Sequence, residues 1–173
     1  MKVLKLRTLL VLLALVTCAW AGCKTSQQGQ SDSPSARQWR NAVKGQWVLD
    51  EVGQQAFPKG ASVSRIFDEA PIECFIGSTW NLISNGRGGI TFTANGDVCA
   101  PGATRDIFWS VFDGDGQDVQ FQFKKLYPGE KASQVKEGYR LVLDYADAQS
   151  LTMLMPVNIA GAKDAYLVFK FSR

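Results

Sequence analysis

Histidine is absent from all 173 residues, which removes the commonest acid–base group and any Ser-His-Asp arrangement. Zinc chemistry is equally poorly supplied, because only four cysteines accompany that absence. The carboxylates Asp68, Glu69 and Glu73 cluster within six residues. Paired acids can do general acid–base work, and charge flanking a helix end is the plainer reading. Asp113, Asp115 and Gln117 have the spacing of the first three ligands of a calcium loop. That loop then requires glycine at its sixth position and a bidentate glutamate at its twelfth. Asp118 and Lys124 stand there instead, so the segment reads as a hairpin turn. The run Asn85-Gly86-Arg87-Gly88-Gly89 precedes a strand and opens no helix; a phosphate cradle needs the helix N-terminus, and this run too reads as a turn. No metal, cofactor or catalytic group is expected, and the chain is not read as an enzyme.

The cysteines divide by position. Lys2, Lys5 and Arg7 precede an apolar stretch from Leu9 to Val16, and no charge occurs between Thr8 and Gly22. This is the layout of a secretory signal, and it is too short for a spanning helix. Trp20-Ala21-Gly22-Cys23 resembles the bacterial lipobox, with Trp20 where that motif prefers leucine. The resemblance implies cleavage after Gly22 and diacylation of Cys23. Cleavage after the A-x-A site Ala19-Trp20-Ala21 is the alternative, and it would leave a secreted chain without lipid. Cys18 leaves with the signal. Cys74 and Cys99 remain, and in an oxidising compartment two leftover cysteines most simply pair. Two buried thiols, or one reactive thiol, are the other readings. Glu73 beside Cys74 opposes the thiolate that reactivity needs.

Signal removal also changes the charge. The chain has nineteen basic and sixteen acidic residues. Three of the basic residues and none of the acidic ones lie in residues 1–22, so the mature chain carries sixteen of each. The excess basicity belongs to targeting and gives no support for nucleic-acid binding.

Residues 24–36 are rich in Gln, Ser, Gly and Pro and nearly free of large apolar side chains. Such a segment cannot bury enough surface to order itself and reads as a tether. The organisation expected is therefore a signal over 1–22, a lipidated tether over 23–36 and one domain over 37–173. Residues 38–43 read as a helical turn. Strands are expected at 46–49, 79–83, 89–93, 106–112, 118–124, 139–145, 150–155 and 165–171, where β-branched and aromatic residues concentrate or alternate with polar ones. The Asn95-Gly96 pair is expected to close a hairpin after the third. Val63, Ile66 and Phe67 at three- and four-residue spacing suggest a short helix over 61–69, stopped by Pro71. Eight strands at short intervals imply an all-β antiparallel up-and-down barrel with a short helix between its first two strands.

Gly45-Gln46-Trp47 opens the first strand after a helical turn, and 166–173 closes the last with Lys170 and Arg173. In these features the chain resembles the lipocalin or calycin superfamily. Over 43–173, and especially over Glu73-Cys74-Phe75-Ile76-Gly77-Ser78-Thr79-Trp80, it looks like the small lipocalin-like lipoproteins of the Bacteroidetes envelope. The resemblance implies that Gly45, Trp47 and Arg173 close the barrel base, a guanidinium or ammonium lying over the Trp47 ring. Arg173, Lys170 and Arg40 are the candidates for that cation. It further implies a small apolar or lipid-like ligand inside the barrel.

The aromatics Trp80, Phe92, Trp109, Phe121, Phe123, Tyr139 and Phe169 are the candidate lining of such a pocket. They suit a solid core equally well, since small barrels are filled by side chains. The function expected is an outer-membrane lipoprotein, facing the periplasm, that binds a small hydrophobic ligand. The alternative is a closed-barrel envelope interaction or inhibitor protein without one.

Overall fold

Alternating side chains make the walls, because residues two apart share one face of a strand. The computed structural model describes residues 34–114 and 116–173. The signal, Cys23, most of the tether and Asp115 lie outside the described residues. Eight strands follow in order: β1 (Gly45–Gln55), β2 (Thr79–Leu82), β3 (Arg87–Thr91), β4 (Thr104–Phe112), β5 (Gln120–Leu126), β6 (Tyr139–Ala146), β7 (Ser150–Pro156) and β8 (Tyr166–Ser172). Each pairs antiparallel with the next, and β8 returns to pair with β1, so the sheet closes into a ring. The all-β, eight-stranded, up-and-down reading holds, and each expected strand overlaps an observed one.

Two bulges adjust the alternation. The β1–β8 register shifts between Leu49 and Glu51, and the β6–β7 register between Leu143 and Tyr145. Before the first bulge Trp47 and Leu49 face the core; after it Val52 does. Leu141 and Leu143 give way to Ala146 in the same manner. Each bulge places one exposed aspartate, Asp50 or Asp144, outside the wall. Extra residues of this kind bend a strand and increase its twist, which helps a sheet close.

One helix covers the base of the ring, the end where β1 begins and β8 stops. Helix α1 (Ala36–Val43) starts at a capping box: Ser35 Oγ accepts from the Gln38 amide, and Gln38 Oε1 accepts from the Ser35 amide. The pattern satisfies two amides that would otherwise lack partners. It extends the expected helical turn back to Ala36, one residue before the expected domain boundary. Trp39 and Val43 are the buried face.

The second helix is displaced from its expected position. Residues 61–69 form no helix; α2 is a single turn, Ile72–Phe75, and Pro71 caps its start. The reason lies at Phe67 and Asp68, whose φ values of 53° and 46° are both left-handed. No right-handed helix continues through two such residues. The tight turn is closed by Ile66 and Ala70, the Ile66 amide donating to the Ala70 carbonyl at 3.0 Å. Val63, Ile66 and Phe67 still turn to the core, so helical spacing reported their common burial and not their backbone. Asn95-Gly96 is likewise not a direct hairpin. It lies inside a long 92–103 connection that Cys99 ties to α2. Among the described residues no helix is long and apolar enough to cross a membrane.

Candidate functional site

Both ends of the ring are stoppered, by different chemistry. At the base the Arg173 guanidinium lies 3.8 Å from the centre of the Trp47 ring. Its Nη2 donates to the Lys44 carbonyl at 2.7 Å and the Ala42 carbonyl at 3.1 Å. Trp47 Nε1 donates to the Val43 carbonyl at 2.7 Å, so this fully buried indole has its partner. Gly45 belongs to the same construction. Its φ is +125°, and a Cβ there would stand 3.1 Å from Arg173 Nη2, so glycine suits both backbone and neighbour.

Of the three cations considered, Arg173 covers Trp47. Arg40 lies 5.2 Å from the centre of the Trp109 ring, and Lys170 pairs with Glu51. Arg173→Ala is expected to lower stability by about 1–2 kcal/mol. Arg173→Lys should recover only part of it, because an ammonium lacks the planar fork. Urea denaturation of the three proteins checks this.

At the mouth, the 56–78 connection folds inward and sets Phe67 among the barrel aromatics. Its ring centre lies 5.0 Å from Phe123, 5.3 Å from Tyr139, 5.5 Å from Phe169 and 6.0 Å from Trp80. Phe75 of α2 packs on it at 5.4 Å and on Phe92 at 5.0 Å. Trp109 stacks on Phe121, which lies 5.9 Å from Phe123. The seven aromatics singled out from sequence are thus brought together, six of them buried and Tyr139 partly so. Trp80, Phe123, Tyr139 and Phe169 pack directly on Phe67, Trp109 and Phe121 join them through Phe123, and Phe92 joins through Phe75. Open clefts lie beneath and beside the 127–138 connection, and Tyr139 and Phe123 each reach the edge of one.

Polar groups hold the 56–78 connection down. Glu69 receives Arg105 Nη2 at 2.7 Å and Lys125 Nζ at 3.0 Å. Lys125 Nζ also donates to the Asp68 carbonyl, and the Tyr139 hydroxyl donates to Asp68 Oδ2 at 3.1 Å. Burial raises the Tyr139 pKa, and the hydrogen bond to Asp68 and its charge add to the rise, so the phenol stays protonated and donating. For Glu69 burial alone would raise the pKa. The hydrogen bonds and charges of Arg105 and Lys125 outweigh it, and the net shift is downward. Glu73 is exposed on α2 and joins no such contact. The carboxylate cluster read from sequence is therefore split, with two members serving as latches on the mouth loop.

A carboxylate with a depressed folded pKa contributes stability above its unfolded pKa and loses it as pH falls through the folded value. Glu69→Gln is expected to cost about 1.5–3 kcal/mol near pH 7, the range for charge-assisted hydrogen bonds. The difference from the parent should start to shrink near the ordinary carboxylate pKa of 4.5 and vanish at lower pH. Denaturation midpoints of both proteins across an acid series test it.

Cys74 and Cys99 form a disulfide, with Cα atoms 5.2 Å apart. It joins α2 to the 92–103 connection, and Cys74 is buried. The buried-thiol and reactive-thiol readings are thereby set aside. The segment 113–119 connects β4 to β5 as read from sequence, whereas of the run read as a turn over 85–89 only Asn85-Gly86 turns, and Arg87, Gly88 and Gly89 already pair within β3. Asp113 Oδ2 accepts from the Ala36 amide at 3.2 Å, joining that turn to α1. Among the described residues no cluster of three or more Cys, Asp or Glu side chains is arranged to hold a metal.

Sequence reading missed the hub role of Phe67 and the Glu69–Arg105–Lys125 cluster. A signal for the cluster was present. Arg105 is in phase with inward-facing Ile107 and Trp109, and Lys125 with Phe121 and Phe123. A cation on the apolar phase of a strand demands a partner. Comparison with protein-family models, curated proteins and solved structures finds no match to this chain.

Proposed function

We propose that this is an exported, lipid-anchored envelope protein that catalyses no reaction and acts through its outer surface, as a closed-barrel interaction or inhibitor protein. The observation that carries the reading is Phe67. It occupies the centre of the aromatic cluster where an internal ligand would sit, and the mouth above it is tied by a disulfide and by the Glu69 latch. Export and lipidation rest on the basic, apolar and small-residue order of residues 1–22 followed by Cys23. The disulfide agrees with an oxidising compartment. Kinship with lipocalin-like lipoproteins of the outer membrane, facing the periplasm, rests on the closed ring, the Gly45-Gln46-Trp47 opening and the Arg173 cover.

A second reading keeps the small hydrophobic ligand. The consecutive left-handed residues Phe67 and Asp68 support it, because strain of roughly 1–3 kcal/mol per residue persists only where the surroundings hold it and is a pointer to function. In that reading Phe67 is a stopper that withdraws when an apolar ligand takes its place. Native mass spectrometry of protein purified from its own membranes separates the two. The closed-barrel reading expects a diacylated chain beginning at Cys23 with no co-purifying apolar molecule. A stoichiometric apolar adduct released on unfolding would overturn it in favour of the second.

A further inference from the structure

The outer wall carries a cleft that the closed ring does not need. Its floor is two adjacent cross-strand rows, fixed by register. Phe108 of β4 stands beside Lys124 of β5, and Ser110, Gln122 and Arg140 continue the next row across β4, β5 and β6. The 127–138 connection folds back over this floor, and Ala132, Ser133 and Lys136 form the roof. Lys124 Nζ ties roof to floor by donating to the Val135 carbonyl at 2.6 Å and the Ala132 carbonyl at 3.2 Å. The volume of this open cleft is about 570 Å³, within the range of small-molecule sites.

Three properties choose the occupant. Phe108 is 38% exposed although it is a large apolar side chain, so one wall is an uncovered aromatic face. Lys124, Lys136 and Arg140 line the cleft and no acidic residue does. Among the described residues neither Lys136 nor Arg140 makes an ion pair, which leaves two cations free on a domain whose mature charge is otherwise balanced. Ser110, Ser133 and Gln122 add neutral hydrogen-bonding groups between them.

We infer that the cleft between the β4–β6 outer wall and the 127–138 connection binds a small soluble amphipathic anion, with its flat apolar body on Phe108 and its carboxylate, sulfonate or phosphate group between Lys136 and Arg140. The inference rests on the reading that the working surface is outside the ring, and it names the ligand class for that surface. A guanidinium and an ammonium facing one anionic group give charge-assisted hydrogen bonds, the stronger kind. The aromatic floor supplies apolar area that free phosphate or chloride cannot use.

Naphthalene-2-sulfonate is the probe, and the neutral naphthalene-2-sulfonamide its control. The protein is the mature full chain carrying Cys23→Ser, so that no acyl chain competes for the probe. Amide spectra recorded during titration should show saturable shifts centred on Phe108, Ser110, Gln122 and Arg140. The sulfonamide, and the double variant Lys136→Gln/Arg140→Gln with the sulfonate, should each bind about tenfold or more weakly, since each loses at least one charge-assisted contact. Phe108→Ala should weaken both probes. No saturable shift, or equal affinity for the two probes, would overturn the site while leaving the closed-barrel reading intact. Shifts centred on Trp80, Phe67 and Phe169 would overturn both. Broadening of the same outer-wall signals by phosphatidylglycerol vesicles alone would reassign the cations to a membrane surface and overturn the soluble ligand.

Discussion

Phe67→Ala is expected to lower the unfolding free energy by about 3–5 kcal/mol, the range for truncating a well-packed phenylalanine. The ring is buried, and five other rings surround it at centre distances of 5.0–6.0 Å. Aromatic pairs of this kind add roughly 0.5–1.5 kcal/mol beyond the area they bury. Removing the ring takes away several at once and leaves a space lined by Trp80, Phe123 and Phe169. Such an apolar cavity stays dry and accepts small aromatic molecules. The variant should therefore gain a benzene-dependent rise in Tm that the parent lacks. A loss below about 1 kcal/mol would mean that Phe67 is a loosely seated stopper, since a core wedge cannot be removed so cheaply. The backbone sharpens the comparison. Phe67 and Asp68 both hold left-handed φ values, so the packing gained must exceed strain of roughly 1–3 kcal/mol at each. Phe67→Ala removes the packing and keeps the strain.

The second large effect is at the disulfide. Cys74 and Cys99 are 25 residues apart, and closing a loop of that length stabilises by about 3.5 kcal/mol in the chain-entropy account. The double variant Cys74→Ser/Cys99→Ser is expected to lose about that amount in urea denaturation. The loss should be uneven across the molecule. The bond ties α2 to the 92–103 connection, and Phe75 of α2 packs on both Phe67 and Phe92. Amide exchange should accelerate over 66–78 and 92–103 well before it does in β4, β5 or β8. Exchange that rises equally in those strands would show that the bond supports the whole ring and not the mouth alone.

These two sites differ in how far sequence reveals them. The cysteine pairing is the simplest of three sequence readings, because a signal would remove Cys18 and a lipobox would occupy Cys23, leaving Cys74 and Cys99. Phe67 is visible only as an apolar residue. Its spacing from Val63 and Ile66 fits a helix, and the observed loop satisfies the same burial with a different backbone. Helical periodicity reports which side chains share a face, and a loop drawn over a mouth can present three of them to one core. The latch cations leave a trace in the sequence. Arg105 and Lys125 break the apolar phase of β4 and β5 at the ends nearest the mouth, which marks them as partners of something folded over it. That the partner is Glu69, distant in sequence, could not be read from either strand.

By itself the sequence determined the strands, because alternation with period two is a local property of each segment. It also determined a helical turn within α1 and the β4–β5 turn at 113–118, but not the Ser35–Gln38 cap. The closure of β8 onto β1, the Arg173 cover on Trp47, the seat of Phe67 and the free cations beside Phe108 were decided only by tertiary structure. Each depends on segments brought together from far apart in the chain. Their energies come from burial and charge pairing that exist only once the ring has closed.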